Sequence, residues 1–229
     1  MLPADLRAAE SQALEALKAA FLADPKGRWT VEWRFEGLRV LPVVLRLAAA
    51  LLETGQELRL LFSDAGATAL AKRDAPELAG CIASFSDQVR RQSEASGNEL
   101  LLLVGASQAD YELVEQVCGG HRGAVVLVNG SLEDAAVGIG SVARERRRGF
   151  LAGWQSAYAL LPQAEAALKR AYPGPWELYR LDPDGYRLCT TFEQKPDAEQ
   201  QAMALAGEEG LDLGGQMRVL DQFIEGLRN

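Results

Sequence analysis

Three segments of the chain repeat one order of residues: a short apolar run, a turn of small polar residues, and a stretch that favours a helix. They are Leu58–Gly66 (LRLLFSDAG), Leu100–Asp110 (LLLLVGASQAD) and Ala124–Asp134 (AVVLVNGSLED). Apolar runs without alternation are typical of strands buried on both faces of a parallel sheet. The repeats predict adjacent parallel strands at residues 58–62, 100–104 and 125–128, because helical crossovers connect parallel neighbours.

The remaining segments extend this prediction to a whole fold. Trp29–Phe35 (WTVEWRF) alternates apolar and polar residues, like a strand with one buried face. The turn signal Asp182-Pro183-Asp184-Gly185 lies between Trp176–Leu181 and Tyr186–Phe192 and predicts a hairpin. We therefore expect an α/β fold: a mostly parallel sheet with helices on both faces, Rossmann-like and doubly wound, plus an antiparallel edge hairpin.

Four further segments are expected to complete a single domain over residues 1–229. Gln163–Ala171 predicts a short helix, whereas the polar segment Gln88–Asn98 predicts a loop. Residues 195–215 are polar with scattered glycine and predict a loosely ordered stretch. The last residues, 216–229, have apolar side chains at helical spacing and predict an amphipathic C-terminal helix over Met217–Leu227.

Composition disfavours several classes of function. The formal net charge is −8, and an acidic chain repels phosphate backbones, so we expect no nucleic-acid partner. No apolar run approaches the ~18 residues that a membrane span requires. Cys81, Cys118 and Cys189 are far apart in the chain and predict reduced thiols in a cytoplasm-like compartment.

Small polar residues follow the predicted strands, at the edge where α/β sheets bind ligands. Ser63, Asp64, Ser107, Asp110 and Asn129 are therefore candidates for a strand-end crevice. The same residue types commonly cap the next helix, and this alternative stays open. If the chain binds a metabolite, these turns should converge on one pocket.

No motif in the chain predicts a cofactor or a metal. Gly138–Ala143 matches the G-x-G-x-x-A pattern, but dinucleotide sites need its first glycine directly after a strand, and Val128 lies ten positions earlier. No P-loop sequence occurs. The single histidine, His121, follows two glycines and is expected on an exposed loop, which disfavours a Ser–His–acid triad or a multi-histidine metal site.

A run of basic residues is the most unusual local feature. Arg144, Arg147 and Arg148 share a face if the segment is helical, and Phe150 and Trp154 lie close by in sequence. These five residues form a candidate patch for an anion or a partner, with the rings as anchors for what the charges attract. The alternative is a solvated helix face whose arginines pair with nearby acids.

Four segments together resemble one family. They are Val31–Pro42 (VEWRFEGLRVLP), Leu61–Gly66 (LFSDAG), Leu132–Gly140 (LEDAAVGIG) with the arginine run and Phe150-Leu151 after it, and Tyr172–Trp176 (YPGPW). Their order and spacing, over about residues 3–195, are similar to a domain-of-unknown-function family of cyanobacteria and plastids. That family includes the plant low-photosystem-II-accumulation proteins, and its domain is also fused to some plastid adenylate kinases. The resemblance carries no catalytic residues over to this chain.

The resemblance implies a role in photosynthesis. The expected function is that of a non-catalytic accessory factor in photosystem II biogenesis, which binds an assembly protein or a partner at the thylakoid surface. The expected location is the cyanobacterial cytosol or the stroma, peripheral to the thylakoid. The alternative, kept open by the adenylate kinase fusions, is a nucleotide- or phosphometabolite-binding domain or enzyme that uses the strand-end crevice.

Overall fold

The computed structural model describes residues 1–94, 97–132 and 149–206. Within these residues, nine strands form one sheet in the order β3-β2-β4-β5-β1-β6-β7-β8-β9. The strands are β1 (Arg28–Trp33), β2 (Leu58–Phe62), β3 (Ile82–Ser84), β4 (Leu100–Val104), β5 (Val125–Val128), β6 (Trp154–Pro162), β7 (Ala166–Ala171), β8 (Trp176–Asp182) and β9 (Gly185–Phe192).

The strands from β3 to β6 in this order run parallel, and β2, β4 and β5 are adjacent, as the repeated segments predict. β2 pairs with β4 from Leu58 opposite Leu100, and β4 pairs with β5 from Leu101 opposite Val125. All residues of β4 and β5 are buried, because helices cover both faces of this part of the sheet. The predicted α/β fold with a mostly parallel sheet is confirmed.

The helices divide between the two faces of the sheet. In the described part of the chain they are α1 (Leu6–Ala23), α2 (Val40–Glu53), α3 (Ala65–Asp74), α4 (Phe85–Glu94), α5 (Tyr111–Gly119) and α6 (Ala198–Ala206). α1, α2 and α3 share an apolar cluster with one face, including Trp29, Val31 and Trp33 of β1. α4 and α5 pack on the opposite face in a second cluster.

β6 to β9 continue the sheet as an antiparallel meander. The predicted hairpin is present: Trp176 pairs with Phe192, and Asp182 pairs with Gly185. The φ of Gly185 is 127°, a backbone conformation that a side chain would strain. α6 packs on this half in a third, smaller apolar cluster.

The sequence predicts a loop over Gln88–Asn98, but the structure places residues 88–94 in the helix α4. α4 begins with a reciprocal cap, in which the Asp87 N–H donates to Ser84 Oγ (3.1 Å) and Ser84 Oγ donates to the Asp87 carboxylate (2.7 Å). Hydrogen bonds from Ser84 and from Arg90 lower the pKa of Asp87 to about 2. Gln92 Nε2 donates to a backbone carbonyl of α5 at 3.1 Å. Polar side chains therefore hold this helix in place, although the polarity of the segment by itself predicts a loop.

A strand, β7, replaces the short helix that was predicted over Gln163–Ala171. Its backbone pairs with β6 on one side and β8 on the other. The alanines of this segment favour a helix in isolation, but two neighbouring strands satisfy its backbone groups, and tertiary pairing overrides the local preference.

The segment 195–215, predicted to be loosely ordered, contains α6. Its start carries a capping box: the Gln200 N–H donates to Asp197 Oδ1 (2.8 Å), and the Asp197 N–H donates to Gln200 Oε1 (3.0 Å). This reciprocal cap nucleates a helix in a polar sequence, which a composition argument overlooks. The remainder, from residue 207 onward, lies outside the described residues.

Three sequence predictions fall outside the described residues altogether. They concern the C-terminal helix over Met217–Leu227, the glycine pattern of Gly138–Ala143, and the arginines Arg144, Arg147 and Arg148. Among the helices that the structure does describe, none is long and apolar enough to cross a membrane.

His121 is buried, which corrects the expectation of an exposed loop residue. It is 5% exposed, and its Nε2 lies 2.7 Å from the carbonyl oxygen of Glu99. Because a carbonyl only accepts, Nε2 carries the proton, and Nδ1 is buried without a partner among the described residues. Burial lowers the pKa of His121, since the imidazolium is poorly solvated there.

Replacing His121 by Gln should reduce the pH dependence of stability. The unfolded imidazole titrates near pH ~6.5, whereas the folded protein resists its protonation. Its contribution to stability is therefore intact above pH ~6.5, and up to ~1.4 kcal/mol per pH unit is lost below it, down to the folded pKa, as the unfolded chain takes up the proton. Urea unfolding of wild type and H121Q at about pH 7.5 and about pH 5.5 measures this effect. An equal loss in both proteins would contradict it.

Candidate functional site

Four of the five candidate crevice residues lie at helix caps. Asp64 precedes α3 and accepts the Ala67 N–H at 2.8 Å. Ser63 Oγ donates to the Asp64 carboxylate at 3.4 Å. Before α5, both the N–H and the hydroxyl of Ser107 donate to the Asp110 carboxylate at 2.8 Å. These contacts are what the capping alternative expects of such residues.

The fifth candidate, Asn129, links β5 to β1 through its side chain. The Trp33 N–H donates to Asn129 Oδ1 at 2.7 Å, and Asn129 Nδ2 donates to the Trp33 carbonyl at 2.9 Å. The Asn129 side-chain amide thus forms hydrogen bonds with the β1 backbone one residue beyond the end of β5. The backbone of Asn129 is left-handed, with φ 49°, which turns the chain away from the sheet.

A cavity of about 300 Å³ lies beside this turn, over β1. We call it the β1 cavity. Its polar side is formed by Thr30, Glu32 and Arg34, and its other lining residues are Leu127, Gly130, Ser131, Leu132, Leu151 and Trp154. Asn129 is next to this lining, whereas Ser63, Asp64, Ser107 and Asp110 do not contribute to it. The candidate residues are therefore not gathered around this cavity.

The β1 cavity lies where the chain connections that follow β1 and β5 lead to opposite faces of the sheet. The chain after β1 leads to α2 on one face of the sheet, whereas Phe150 and Leu151, which precede β6, pack on the opposite face. Crevices at such switch points, outside the carboxyl ends of parallel strands, are the usual ligand sites of α/β sheets.

Charged groups at the rim of the β1 cavity hold one another in place. Arg34 Nη2 donates to Glu32 Oε1 at 3.1 Å and to the Gly130 carbonyl at 2.8 Å. Lys195, from the segment after β9, places its Nζ 3.7 Å from Glu32 Oε2. Among the residues that the structure describes, two cations and one carboxylate give this rim a formal charge of +1, within a chain of net charge −8.

Trp154, a lining residue of the β1 cavity, has an unpaired donor that is buried in the protein. Its Nε1 is buried and has no partner among the described residues, and the same holds for Ser156 Oγ two residues along β6. A buried donor without an acceptor is costly, so native proteins retain few of them. The indole packs edge-on against Phe150 with ring centroids 5.6 Å apart, and Phe150 packs in the same way on Tyr111.

Phe150 and Trp154 are thus partly buried members of an edge-on aromatic cluster with Tyr111. The other three members of the candidate patch, Arg144, Arg147 and Arg148, lie outside the described residues. The patch as a whole stays a prediction.

Glu32, Arg34 and Lys195 are missing from the sequence-based candidates, although β1 carries a signal. β1 has a neighbouring strand on each side, and a strand in the middle of a parallel sheet is normally apolar on both faces. The alternation of Trp29–Phe35 instead places Thr30 and Glu32 opposite the tryptophans. A polar face on a central strand is a sign of a polar cavity.

Other chemistry has little support in the described ranges. No group of three His, Cys, Asp or Glu side chains there could hold a metal ion. Burial raises the pKa of the Cys118 thiol to about 12 and also raises that of Cys81, which makes both poor nucleophiles. A second cavity, of about 390 Å³, lies near the start of β4 with Lys18 as its one charged lining residue. That is the end of the sheet at which α/β proteins seldom bind ligands.

The antiparallel half ends in an exposed edge. Among the residues that the structure describes, β9 is the last strand of the sheet, and its Tyr186 and Leu188 are 42% and 53% exposed. Leu181, opposite Tyr186 on β8, is 44% exposed. These three side chains lie on the same side of the sheet, and we call them the hairpin face.

Residues 3–203 match the model of a protein family described as a domain of unknown function, DUF1995. No curated protein matches the chain. The matched region contains all the strands of the sheet described above, together with the β1 cavity and the hairpin face.

Two substitutions of Asn129 should separate its hydrogen bonds from its backbone conformation. N129G removes both amide bonds to Trp33 but accepts the left-handed backbone, and we expect it to cost ~2 kcal/mol of unfolding free energy. N129A loses the same bonds and adds ~1 kcal/mol of backbone strain. Denaturant unfolding of the three proteins tests this order. Equal stability of wild type and N129G would mean that the amide does not hold β5 to β1.

Proposed function

The chain belongs to the DUF1995 family, and from this membership we propose that it is a non-catalytic accessory factor in photosystem II biogenesis that acts by binding a protein partner. The observation that carries protein binding is the exposed strand β9 with its hairpin face. The link to photosynthesis comes from the resemblance to the cyanobacterial and plastid family that includes the low-photosystem-II-accumulation proteins. The location we propose is the cyanobacterial cytosol or the stroma, peripheral to the thylakoid.

The two edges of the sheet differ in how they are protected from further pairing. β3 has only three residues, two of them buried. β9 has eight residues and lacks the lysine and proline with which proteins usually blunt an edge. Its one charged side chain, Arg187, is paired with Asp182 and Asp184. A bulge in the pairing of β8 with β9 is the remaining protection.

The occupant we propose for this edge is an extended segment of a photosystem II assembly protein, added to β9 as a further strand. Strand addition pairs the outward N–H and C=O groups of β9 and draws its affinity from the main chain. Side chains alternate along a strand, so every second residue of the partner segment lies beside Tyr186 and Leu188. Those positions of the partner should be apolar, because cross-strand apolar pairs stabilise a sheet.

A second candidate function is metabolite binding at the carboxyl ends of the strands. One observation favours it: the β1 cavity has Arg34 at its rim and apolar walls that include Trp154. Its volume is at the lower end of the range of roughly 300–1,000 Å³ for small-molecule sites. A small phosphorylated metabolite therefore suits it better than a dinucleotide.

The substitution L188K tests the proposed partner surface in a photosynthetic host. A lysine at this exposed position discourages strand addition without entering the core. The matched control is L70K, because Leu70 is 40% exposed and lies on α3, away from the hairpin. We expect tagged wild type and L70K to co-purify the same photosystem II assembly protein, and L188K to retain at least ~10-fold less. Photosystem II content, measured by variable chlorophyll fluorescence, should fall in the L188K strain alone.

The two parts of this proposal fail separately. Wild-type recovery of the assembly protein with L188K would exclude the β9 edge as the partner surface. Normal photosystem II content in a strain that lacks the protein would exclude the role in biogenesis. Equal melting temperatures of wild type, L70K and L188K are the control that attributes a loss to the surface rather than to the fold.

A further inference from the structure

We propose that the β1 cavity binds a small organic anion, a carboxylate or phosphate group carried on a compact apolar body. This inference rests on the second candidate function and gives it a ligand class. It is independent of the hairpin face. The two sites lie on opposite sides of the sheet. Lys195 approaches both the Trp176 ring (5.7 Å) and Glu32, so Trp176 lies on the side of the cavity. Because side chains alternate along β8, Leu181 and with it the hairpin face lie on the other side.

Arg34 is held in position and still has donors to offer. Both of its hydrogen bonds leave from Nη2, to Glu32 and to the Gly130 carbonyl. The N–H groups of Nε and Nη1 meet no acceptor among the described residues, and the side chain is 40% exposed. A guanidinium fixed on one side forms charge-assisted hydrogen bonds to an oxyanion without first losing side-chain freedom.

The charge at the rim selects the sign of the ligand. Glu32 is 17% exposed and lies within ion-pair distance of both Arg34 and Lys195. Its carboxylate is therefore largely engaged by the two cations, and these three described groups together keep a net positive charge. An anion is attracted to this rim and a cation is repelled, more strongly than at a fully solvated surface.

The interior of the cavity selects the rest of the ligand. Leu127, Leu132 and Leu151 form apolar walls that suit a hydrocarbon or aromatic body. The Trp154 indole completes the wall, and its own N–H is buried without accessible surface. A fixed guanidinium at the rim, with apolar walls behind it, fits one small amphiphilic anion.

The test follows the indole N–H signal of Trp154 in the full-length, ¹⁵N-labelled protein. The chain has four tryptophans, and the signal lost in W154F is that of Trp154. The probes are phenyl phosphate, benzoate, benzyl alcohol and inorganic phosphate. We expect phenyl phosphate or benzoate to shift the Trp154 signal in a saturable manner, and the stronger of the two identifies the preferred oxyanion. Benzyl alcohol lacks the charge and inorganic phosphate lacks the apolar body, so each should bind at least ~10-fold more weakly.

Substitutions at the rim test the role assigned to Arg34. R34Q should weaken binding of the better probe by roughly 10- to 100-fold, whereas R34K keeps the charge but loses the planar donor pair and should retain an intermediate affinity. R73Q is the matched control, because it removes one positive charge from α3, away from the cavity. W154F lacks the indole signal, so its binding is followed by the backbone amide signals of Thr30 and Glu32 in the cavity lining; it should be several-fold weaker, with an unchanged circular dichroism spectrum.

Three results would overturn the proposal. They are the absence of any probe-dependent shift at Trp154, equal binding of benzyl alcohol and the anions, and wild-type affinity in R34Q. L188K, in contrast, should bind the probes like wild type. A failure at the hairpin face and a failure at the β1 cavity are therefore distinguishable.

Discussion

The pairing of β1 with both of its neighbours joins the two halves of the sheet. β1 runs parallel to β5, with Arg28 opposite Val125, and parallel to β6, with Arg28 opposite Trp154. β6 in turn begins the antiparallel half, so the two halves share no other strand pairing. Trp29 and Trp33 anchor β1 from one side, because both are 1% exposed and belong to the cluster under α1 and α2.

The opposite side of β1 is polar for a reason that the same architecture supplies. On that face, one apolar cluster lies under α4 and α5 and another under α6, and β1 runs between them. Neither cluster needs an apolar side chain at Glu32 or Arg34, and the gap between them is the β1 cavity. Lys195 bridges this gap, since it approaches Glu32 on one side and the Trp176 ring on the other.

The parts of the fold that the sequence predicts are those determined by their own residues. β4 and β5 are apolar throughout, β2 is apolar except for Arg59, and the hairpin turn carries its own proline and glycine. β7 depends instead on two distant strands, and the burial of His121 depends on the Glu99 carbonyl. No local sequence pattern predicts these two features, because they are determined by the distant residues that contact the segment and not by the segment itself.

The candidate site follows the same division. Polar residues at strand ends are visible in the sequence, but most of them serve the helix that begins there, as Asp64 and Ser107 do. The rim of the β1 cavity combines residues 32, 34 and 195, which only the folded sheet brings together. The one local sign is the alternation of β1: its apolar residues belong to the core, and its polar residues Thr30 and Glu32 line the β1 cavity.

The central position of β1 also determines the order in which its strand pairs can form during protein synthesis. Trp33 leaves the ribosome before its partner on β6, Leu160, which follows 127 residues later. Pairs so distant in sequence close late, because a long loop must first be restrained. During translation the nascent chain therefore carries two tryptophans on a strand that still lacks both neighbours. This unpaired strand is the part of the emerging polypeptide that most needs shielding, by α1 and α2 or by a chaperone, until the second half of the sheet has been synthesised.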